Sequence, residues 1–307
     1  MKVLNAPGGV TQLRFLPDGQ RLIVEANAWF HVLTIETGES IPLSSSKKVL
    51  PADWNFRQSH EVAVPSAGDW FYVIGDGYLR SFLLKDCSPR PVPEIHNNFR
   101  HVAVSASADR VLAVVPGTYS GNIPWKPMRL CAIDTSPTGD QARFDMPLPP
   151  EYQRLVGILP DGKRFVTLED MKIRIRDLSD GRELASGKHK IHGGDWAQLS
   201  PDGRHVGTLG RHSMYVTDLE PLAKPRLISG SSNNNNFISF AFHPANGTMA
   251  VIHGGPTLVK IYDVATLKQT LVYKWKLGPL GAVTFSPDGL LGAAGSADGQ
   301  IVIWDVD

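Results

Sequence analysis

Residues 281–306 read GAVTFSPDGLLGAAGSADGQIVIWDV. Three short apolar segments lie in this stretch, and clusters of Gly, Pro, Asp and Ser separate them. Short alternating runs bounded by such residues are typical of β-strands. The phrase Ser286-Pro287-Asp288-Gly289 predicts a tight turn between the first two strands. The stretch therefore predicts three consecutive strands joined by short turns.

The turn phrase recurs along the whole chain, in complete or degenerate form. Successive copies lie 41 to 53 residues apart, so that seven copies account for all 307 residues. A repeat of this period is the sequence signature of a solenoid, a propeller or a similar array. The copies are centred on Pro17, Pro65, Ser107, Pro160, Pro201, Pro244 and Pro287.

Each copy has the same surroundings. An alternating apolar segment precedes the turn, two more follow it, and a weaker fourth segment such as Thr270-Leu271-Val272-Tyr273 precedes the next copy. Four antiparallel strands per unit and no convincing helix predict an all-β fold, a seven-bladed β-propeller, as one domain over residues 1–307. Lys2-Val3-Leu4 is an extra strand that could pair with residues 301–306 and close the last blade, which would remove an exposed sheet edge.

The stretch 281–306 resembles a near-consensus repeat of the WD40 family, and the resemblance extends unevenly over the whole chain. Trp304-Asp305 is the one Trp-Asp dipeptide, whereas the other repeats keep at most its aspartate. The Gly-His dipeptide of the family is absent from its expected place. The resemblance implies the same interlock of the chain ends and a docking surface on the face of the b–c and d–a loops, with strands named a to d in each blade. Because the motifs are incomplete, packing is expected to replace the family's hydrogen-bond tetrad in most blades. The matching aspartates are Asp177, Asp218 and Asp263 in the third strand, and Asp298, Asp170 and Asp76 in the turn before it.

Composition limits the classes of partner. The chain has 31 Lys and Arg against 30 Asp and Glu, a net charge of +1 that argues against nucleic acid or an anionic membrane as a general partner. No run of about 18 apolar residues is present to span a bilayer. Cys87 and Cys131 lack the spacing of a zinc site, so we expect no metal and no cofactor. A cytoplasmic protein is expected, either monomeric or part of a larger complex.

The d–a and b–c loops are rich in aromatic and arginine side chains. Such residues make interface hot spots, because aromatic rings bury a large area at low entropy cost and arginine binds carboxylates in bidentate fashion. The loops predict a non-catalytic scaffold that binds a peptide or protein partner on this face. The alternative for the aromatics is that they pack between blades as core. The candidate partner-binding residues are Trp54, Phe56, Arg57, His60, Phe99, Arg100, His101, Tyr119, Trp125, Arg154 and Trp196.

A propeller enzyme, lactonase-like or another metal-dependent hydrolase, is the second functional hypothesis. The sequence contains no Gly-x-Ser-x-Gly, phosphate-binding loop or His-Glu-x-x-His motif, and no residue is assigned as catalytic. Propeller enzymes nevertheless assemble their sites from the inner strands of several blades. Convergence of carboxylate and imidazole groups within about 5 Å at the channel mouth would favour this hypothesis. The residues to consider are His60, Glu61, His101, Arg154 and Asp195.

Overall fold

The described part of the chain consists of strands and turns. It contains 28 strands in seven four-stranded sheets and no helix, which confirms the predicted all-β, seven-bladed propeller. Within the same ranges there is no helix of the length and apolarity that a membrane crossing would require. The computed structural model describes residues 1–43, 61–66, 69–75, 78–90, 101–107, 109–115, 128–135, 141–148, 152–169, 171–189, 196–210, 212–228, 236–253 and 258–306.

Two compact units make up the chain. One comprises Met1–Leu43 and Gly187–Asp307, and the other comprises Ser44–Ser186. The expectation of a single domain over residues 1–307 stays a prediction. We number the blades along the chain and list the strands of each from inner to outer.

The first unit contains blades 1, 5, 6 and 7. In blade 7 the outermost strand comes from the beginning of the chain. The strands are, in blade 1, β2 Val10–Phe15, β3 Arg21–Ala26, β4 Trp29–Thr34 and β5 Ser40–Pro42; in blade 5, β18 Trp196–Leu199, β19 His205–Leu209, β20 Met214–Asp218 and β21 Arg226–Ile228; in blade 6, β22 Phe237–Phe242, β23 Thr248–His253, β24 Leu258–Asp263 and β25 Gln269–Lys274; and in blade 7, β26 Leu280–Phe285, β27 Leu291–Ser296, β28 Gln300–Asp305 and β1 Lys2–Asn5.

The second unit contains blades 2, 3 and 4, and the last strand of blade 4 crosses the division at Gly187. The strands are, in blade 2, β6 Glu61–Ala63, β7 Trp70–Gly75, β8 Tyr78–Leu83 and β9 Pro89–Arg90; in blade 3, β10 His101–Val104, β11 Arg110–Val115, β12 Arg129–Asp134 and β13 Gln141–Pro147; and in blade 4, β14 Tyr152–Ile158, β15 Arg164–Glu169, β16 Lys172–Asp177 and β17 Glu183–Lys188.

The recurring Pro-Asp-Gly phrase forms the turn between the first and second strands. In blade 1, Asp18 Oδ1 accepts hydrogen bonds from the backbone N–H groups of Gln20 at 2.9 Å and Arg21 at 3.1 Å. Gly19 follows with a φ of 66°, a left-handed conformation that favours glycine. The repeat is therefore local turn chemistry, which recurs at Asp161, Asp202 and Asp288 in blades 4, 5 and 7.

The sixth repeat uses Asn246 in place of the aspartate, with its Oδ1 accepting from the Thr248 N–H at 3.1 Å, and adds a histidine to the turn. His243 Nδ1 accepts hydrogen bonds from the N–H groups of Ala245 at 3.1 Å and Asn246 at 3.0 Å. Because Nδ1 accepts, the ring hydrogen lies on Nε2, which donates to the carbonyl of Gly289 at 2.9 Å. His243 thus joins the first turns of blades 6 and 7.

The core lies between neighbouring blades. In the first unit, Leu22 and Leu33 of blade 1 belong to one buried cluster with Ile301 and Ile303 of blade 7. Separate clusters join blade 5 to 6 and blade 6 to 7, and in the second unit blade 2 to 3 and blade 3 to 4. Within each unit, neighbouring sheets thus bury apolar side chains against each other.

Aromatic packing occupies the centre of blade 7, at the one Trp-Asp dipeptide. Trp304 is 4% exposed and lies against Trp275, Tyr273 and Phe285, with ring centroids 4.9, 5.3 and 6.4 Å away. Gly292 leaves room for the Trp304 ring, since a Cβ at this glycine would lie 2.2 Å from it. Tilted and edge-on rings from blades 6 and 7 and from the segment between them thus pack around the tryptophan of the family motif.

The predicted closure of the last blade is confirmed. β1 pairs antiparallel with β28, and Lys2, Val3 and Leu4 lie opposite Ile303, Val302 and Ile301. Leu4 is 6% exposed and packs in the cluster between blades 7 and 1.

Candidate interaction face

Three side chains from the inner strands of blades 2, 3 and 4 meet at the end of these blades that carries the b–c and d–a loops. Glu61 begins β6, His101 begins β10, and Arg154 is the third residue of β14. Glu61 Oε1 is bound by Arg154 Nη2 and lies 3.2 Å from His101 Nδ1. Glu61 Oε2 accepts a hydrogen bond of 2.8 Å from the Val102 N–H. We call Glu61, His101 and Arg154 the inner triad; each side chain is only 12–13% exposed.

The electrostatics of the inner triad make Glu61 an anion. Burial by itself would raise the pKa of the Glu61 carboxyl, since a charge is costly away from water. The Arg154 guanidinium, the His101 imidazole and the Val102 N–H outweigh burial and hold this pKa below its ordinary value. Glu61 therefore neutralises Arg154, and an anionic ligand would have to compete with Glu61 for the guanidinium.

Three of the four inner strands of the first unit, those of blades 1, 6 and 7, have a β-bulge near their first residue. Register shifts between Val10 and Gln12, between Phe237 and Ser239, and between Leu280 and Ala282 leave one residue of each strand without an opposite partner. A bulge re-aims side chains and is common beside binding sites. The bulged residues are Thr11, Ile238 and Gly281.

All three bulged residues line one small cavity. It has a volume of about 50 Å³, and its wall includes Trp196 of blade 5 and Arg14 of blade 1. Ile238 is 40% exposed, which is unusual for a large apolar side chain on an inner strand. The bulge in β22 thus presents one exposed apolar group, and the indole of Trp196 borders the same cavity.

Trp29 is an exposed aromatic residue on the same face of blade 1. It is 43% exposed and begins β4, directly after a two-residue turn made by Asn27 and Ala28. Both turn residues have left-handed φ angles, 52° and 64°, as the tightest hairpin turns require. The Asn27 side chain also donates to the carbonyl of Pro7 at 3.2 Å, which fixes the turn and hence the position of the indole.

Sequence reasoning identified some of these residues and missed others. His101 and Arg154 were predicted, and the structure brings them together with Glu61. Trp196 is half-buried and packs on the cluster between blades 5 and 6, in which Phe237, at 4% exposure, is a core residue. Trp29 and Ile238 were not predicted, because a tryptophan beside Asn-Ala and an isoleucine in an apolar run carry no special signal. The predicted residues that lie outside the described ranges are Trp54, Phe56, Arg57, His60, Phe99, Arg100, Tyr119 and Trp125, together with Asp195.

A second triad lies at the opposite end of blade 5. Asp218 Oδ1 is 2.8 Å from His205 Nδ1 and accepts a hydrogen bond of 2.8 Å from Arg226 Nη2. Arg226 Nη1 donates to the carbonyls of Val264 and Ala265 at 3.0 and 2.7 Å. This group ties blade 5 to blade 6. Neither triad is a metal centre in composition, and the described ranges contain no cluster of three His, Cys, Asp or Glu arranged to hold a metal ion.

Comparison with known proteins places this fold among WD-repeat proteins. Residues 269–305 match the family model "WD domain, G-beta repeat". The serine-threonine kinase receptor-associated protein of Dictyostelium discoideum is 29% identical over 43% of this chain and 43% of its own length. The mouse protein of the same name is 27% identical over 47% and 40%, and the small ribosomal subunit protein RACK1 of Neurospora crassa is 34% identical over 23% and 22%. The matched region therefore spans less than half of these relatives.

The solved structures agree on the architecture. The β-propeller domain of Myceliophteria thermophila Cps50 (Swd1) superposes with a TM-score of 0.75 over 100% of both chains, at 14% sequence identity. Identity this low supports the fold alone. The last repeat matches the WD-repeat model directly, and the other six repeat its four-stranded plan with altered motifs. The chain is therefore a seven-bladed β-propeller in which one repeat matches the WD-repeat model and the other six resemble it in degenerate form.

Proposed function

We propose that this protein is a non-catalytic protein-interaction scaffold that binds a peptide or protein partner on the face of the b–c and d–a loops. The observation that carries the proposal is Trp29. Its indole is 43% exposed, whereas the Trp70 and Trp304 residues are 8% and 4% exposed. An exposed indole leaves apolar surface in contact with water, which is unfavourable. Tryptophan is also among the residue types most enriched in interface hot spots.

The rigid surroundings of Trp29 favour a role in partner binding. The Asn27-Ala28 turn is closed by strand pairing between Ala26 and Trp29 and by the Asn27 hydrogen bond to Pro7. A rigid anchor loses little conformational entropy when a partner covers it, so more of the buried area contributes to affinity.

Ile238 and Trp196 add apolar surface on the same face of the first unit. Ile238 is held outward by the bulge in β22, which pairs with β23 on either side of the irregularity. Both residues border the cavity between the inner strands of blades 1, 5, 6 and 7. Exposed apolar groups on the ends of rigid strands fit a scaffold that docks another protein.

The names of the relatives support the same class of function. One is a receptor-associated protein and another is a ribosomal subunit protein, so both names describe association with other macromolecules. We extend to this chain only the general class, a protein that acts by binding.

The inner triad weighs against the hydrolase hypothesis at that location. Glu61 and His101 do converge, with Oε1 and Nδ1 3.2 Å apart. The third member, however, is the guanidinium of Arg154, which binds the same carboxylate oxygen and would repel a metal cation. The group is better suited to joining blades 2, 3 and 4.

The test is partner capture with the full chain as bait and quantitative mass spectrometry. We expect Trp29→Ala combined with Ile238→Ser to lose the specific partners. The matched control is Leu290→Ser, since Leu290 is 65% exposed but lies in the turn at the opposite end of blade 7. Arg57→Ala with Arg100→Ala tests the other two predicted arginines and leaves Arg154 unsubstituted. Retention of every partner by the Trp29/Ile238 variant, or equal loss with Leu290→Ser, would reject this face as the binding surface.

A further inference from the structure

β25 is the outer strand of blade 6, and its free edge is open among the described residues. It pairs with β24 on one side and stands last in the strand order of its sheet. Five of its six residues are exposed, and Tyr273 is half-buried. The outer strands of blades 1, 2 and 5 have only three, two and three residues. β25 therefore offers a longer row of backbone N–H and C=O groups for pairing than these three strands, and only the outer strands of blades 3 and 4, with seven and six residues, match or exceed its length among the described sheets.

The chemistry of β25 alternates between its two faces. Leu271 and Tyr273 lie opposite Ile261 and Val259, so this face is apolar. Leu271 is 46% exposed.

The other face is basic. Val272 lies opposite Lys260, and Lys274 follows on the same side. Lys268 and Lys276 flank the strand, and residues 264–287 contain three lysines and no acidic residue. The edge therefore combines an apolar face with a cationic face.

A stack of rings holds the end of β25 in place. The rings of Tyr273 and Trp275 are parallel within 4°, with centroids 5.5 Å apart. Trp275 in turn lies 4.9 Å from the buried Trp304. An edge fixed in this way is ordered before any partner arrives, which lowers the entropy cost of binding.

We propose that β25 binds an extended acidic peptide segment, which adds to blade 6 as a fifth strand. Alternate residues of an added strand point to opposite faces of the sheet. A segment that alternates acidic and apolar residues would place its carboxylates beside Lys260 and Lys274 and its apolar groups beside Leu271 and Tyr273. Main-chain hydrogen bonds would supply affinity, and the two faces would supply specificity.

A second copy of this chain is a less suitable occupant. Pairing two β25 strands would bring the lysines of both copies to one sheet, and like charges on neighbouring strands are destabilising. An acidic segment removes this repulsion and gains ion pairs. The charge of the edge therefore selects the partner.

The experiment measures fluorescence anisotropy of a labelled peptide of about ten residues that alternates glutamate with valine. Two comparison peptides carry lysine in place of glutamate, or a central proline that cannot donate to a ladder. We expect the acidic peptide to bind, and both comparison peptides to bind at least about tenfold more weakly. Hydrogen exchange should slow at amides within 269–274 when the acidic peptide is bound.

Variants locate the site. Leu271→Lys, and separately Lys268→Glu with Lys274→Glu, should weaken binding at least about tenfold. Leu227→Lys is the matched control, because Leu227 is 51% exposed on the outer strand of blade 5. The proposal is overturned if the proline peptide binds as well as the acidic one, if Leu227→Lys weakens binding equally, or if no binding occurs up to about 1 mM peptide. Self-association through β25, abolished by Leu271→Lys, would also overturn it in favour of a second copy.

Discussion

The indole of Trp275 lies against the indole of Trp304, with ring centroids 4.9 Å apart and planes inclined by 43°. Trp275 precedes the inner strand of blade 7, whereas Trp304 belongs to the third strand of the same blade. The contact therefore fixes the position of the chain just before it enters blade 7, which is the repeat that retains the Trp-Asp dipeptide.

Replacing Trp304 with alanine should destabilise the protein strongly. The substitution removes a buried ring that contacts Tyr273, Trp275 and Phe285, and large-to-small changes of this kind cost about 3–5 kcal/mol. Trp29→Ala removes an exposed ring and should change the free energy of unfolding by less than about 0.5 kcal/mol. Urea unfolding followed by tryptophan fluorescence and circular dichroism measures both. Equal losses for the two variants would contradict the assigned burial.

The inner triad predicts a strong coupling between Glu61 and Arg154. Glu61→Gln should leave the buried guanidinium without its counter-charge and cost about 2–4 kcal/mol, and Arg154→Met should cost a similar amount. The double variant should lose much less than the sum, because no uncompensated charge remains. A double-mutant cycle in urea provides the measurement. Simple additivity of the two losses would show that the ion pair contributes little.

As the pH falls, buried histidines should destabilise the fold at a higher pH than protonation of the carboxylates does. His253 is 3% exposed, and burial, assisted by Lys260, lowers its pKa to about 4. The unfolded chain takes up a proton on histidine near pH 6.5 while the folded chain stays neutral, so the free energy of unfolding falls between about pH 6.5 and about pH 4, by up to about 3 kcal/mol per group. His189, whose pKa burial also lowers to about 4, acts in the same direction.

The pH dependence can be assigned with two variants. His253→Gln should flatten the slope of stability between about pH 6.5 and about pH 4.5, and His189→Gln should change the slope in the same direction. Glu61 and Asp288 contribute in a more acidic window, because a lowered carboxyl pKa gives stability that persists until the pH falls through that lowered value. An unaltered slope in His253→Gln would rule out His253 as its source.

Two glycines in equivalent turns should respond differently to alanine. Gly19 and Gly289 have φ angles of 66° and 78°, so backbone strain of about 1 kcal/mol applies to both. A Cβ at Gly19 meets nothing within 4 Å, whereas one at Gly289 would lie 2.5 Å from the His243 ring. Gly289→Ala should therefore cost clearly more, since it also disturbs the hydrogen bond from His243. The melting temperatures of the two variants test this prediction, and equal decreases in melting temperature would contradict it.

The features predictable from the sequence are those that depend on local chemistry. The turn around Asp18 recurs because one carboxylate satisfies two neighbouring N–H groups, and this requires only residues close in sequence. The pairing of Lys2–Asn5 with the last strand was also predictable, because the last repeat lacks a fourth strand of its own. Seven blades follow from these two observations.

The binding face was harder to predict because its geometry depends on distant contacts. Glu61 and Arg154 are 93 residues apart and meet only when three inner strands lie side by side. The bulge that turns Ile238 outward leaves the apolar pattern of its strand unchanged. The left-handed Asn27-Ala28 turn that presents Trp29 lacks the glycine that usually marks such a turn.

The pairing of β1 with β28 has a consequence for how the chain folds. Lys2 and Ile303 are opposite each other in one sheet although about 300 residues separate them, so joining them closes a loop that contains almost every residue. On a ribosome that makes about 5–20 residues per second, β1 would wait at least about 15 s for its partner, with its edge unpaired throughout. Completion of the seventh sheet must therefore be a late, non-local event, and the edge of the newly made β1 stays exposed until β28 arrives.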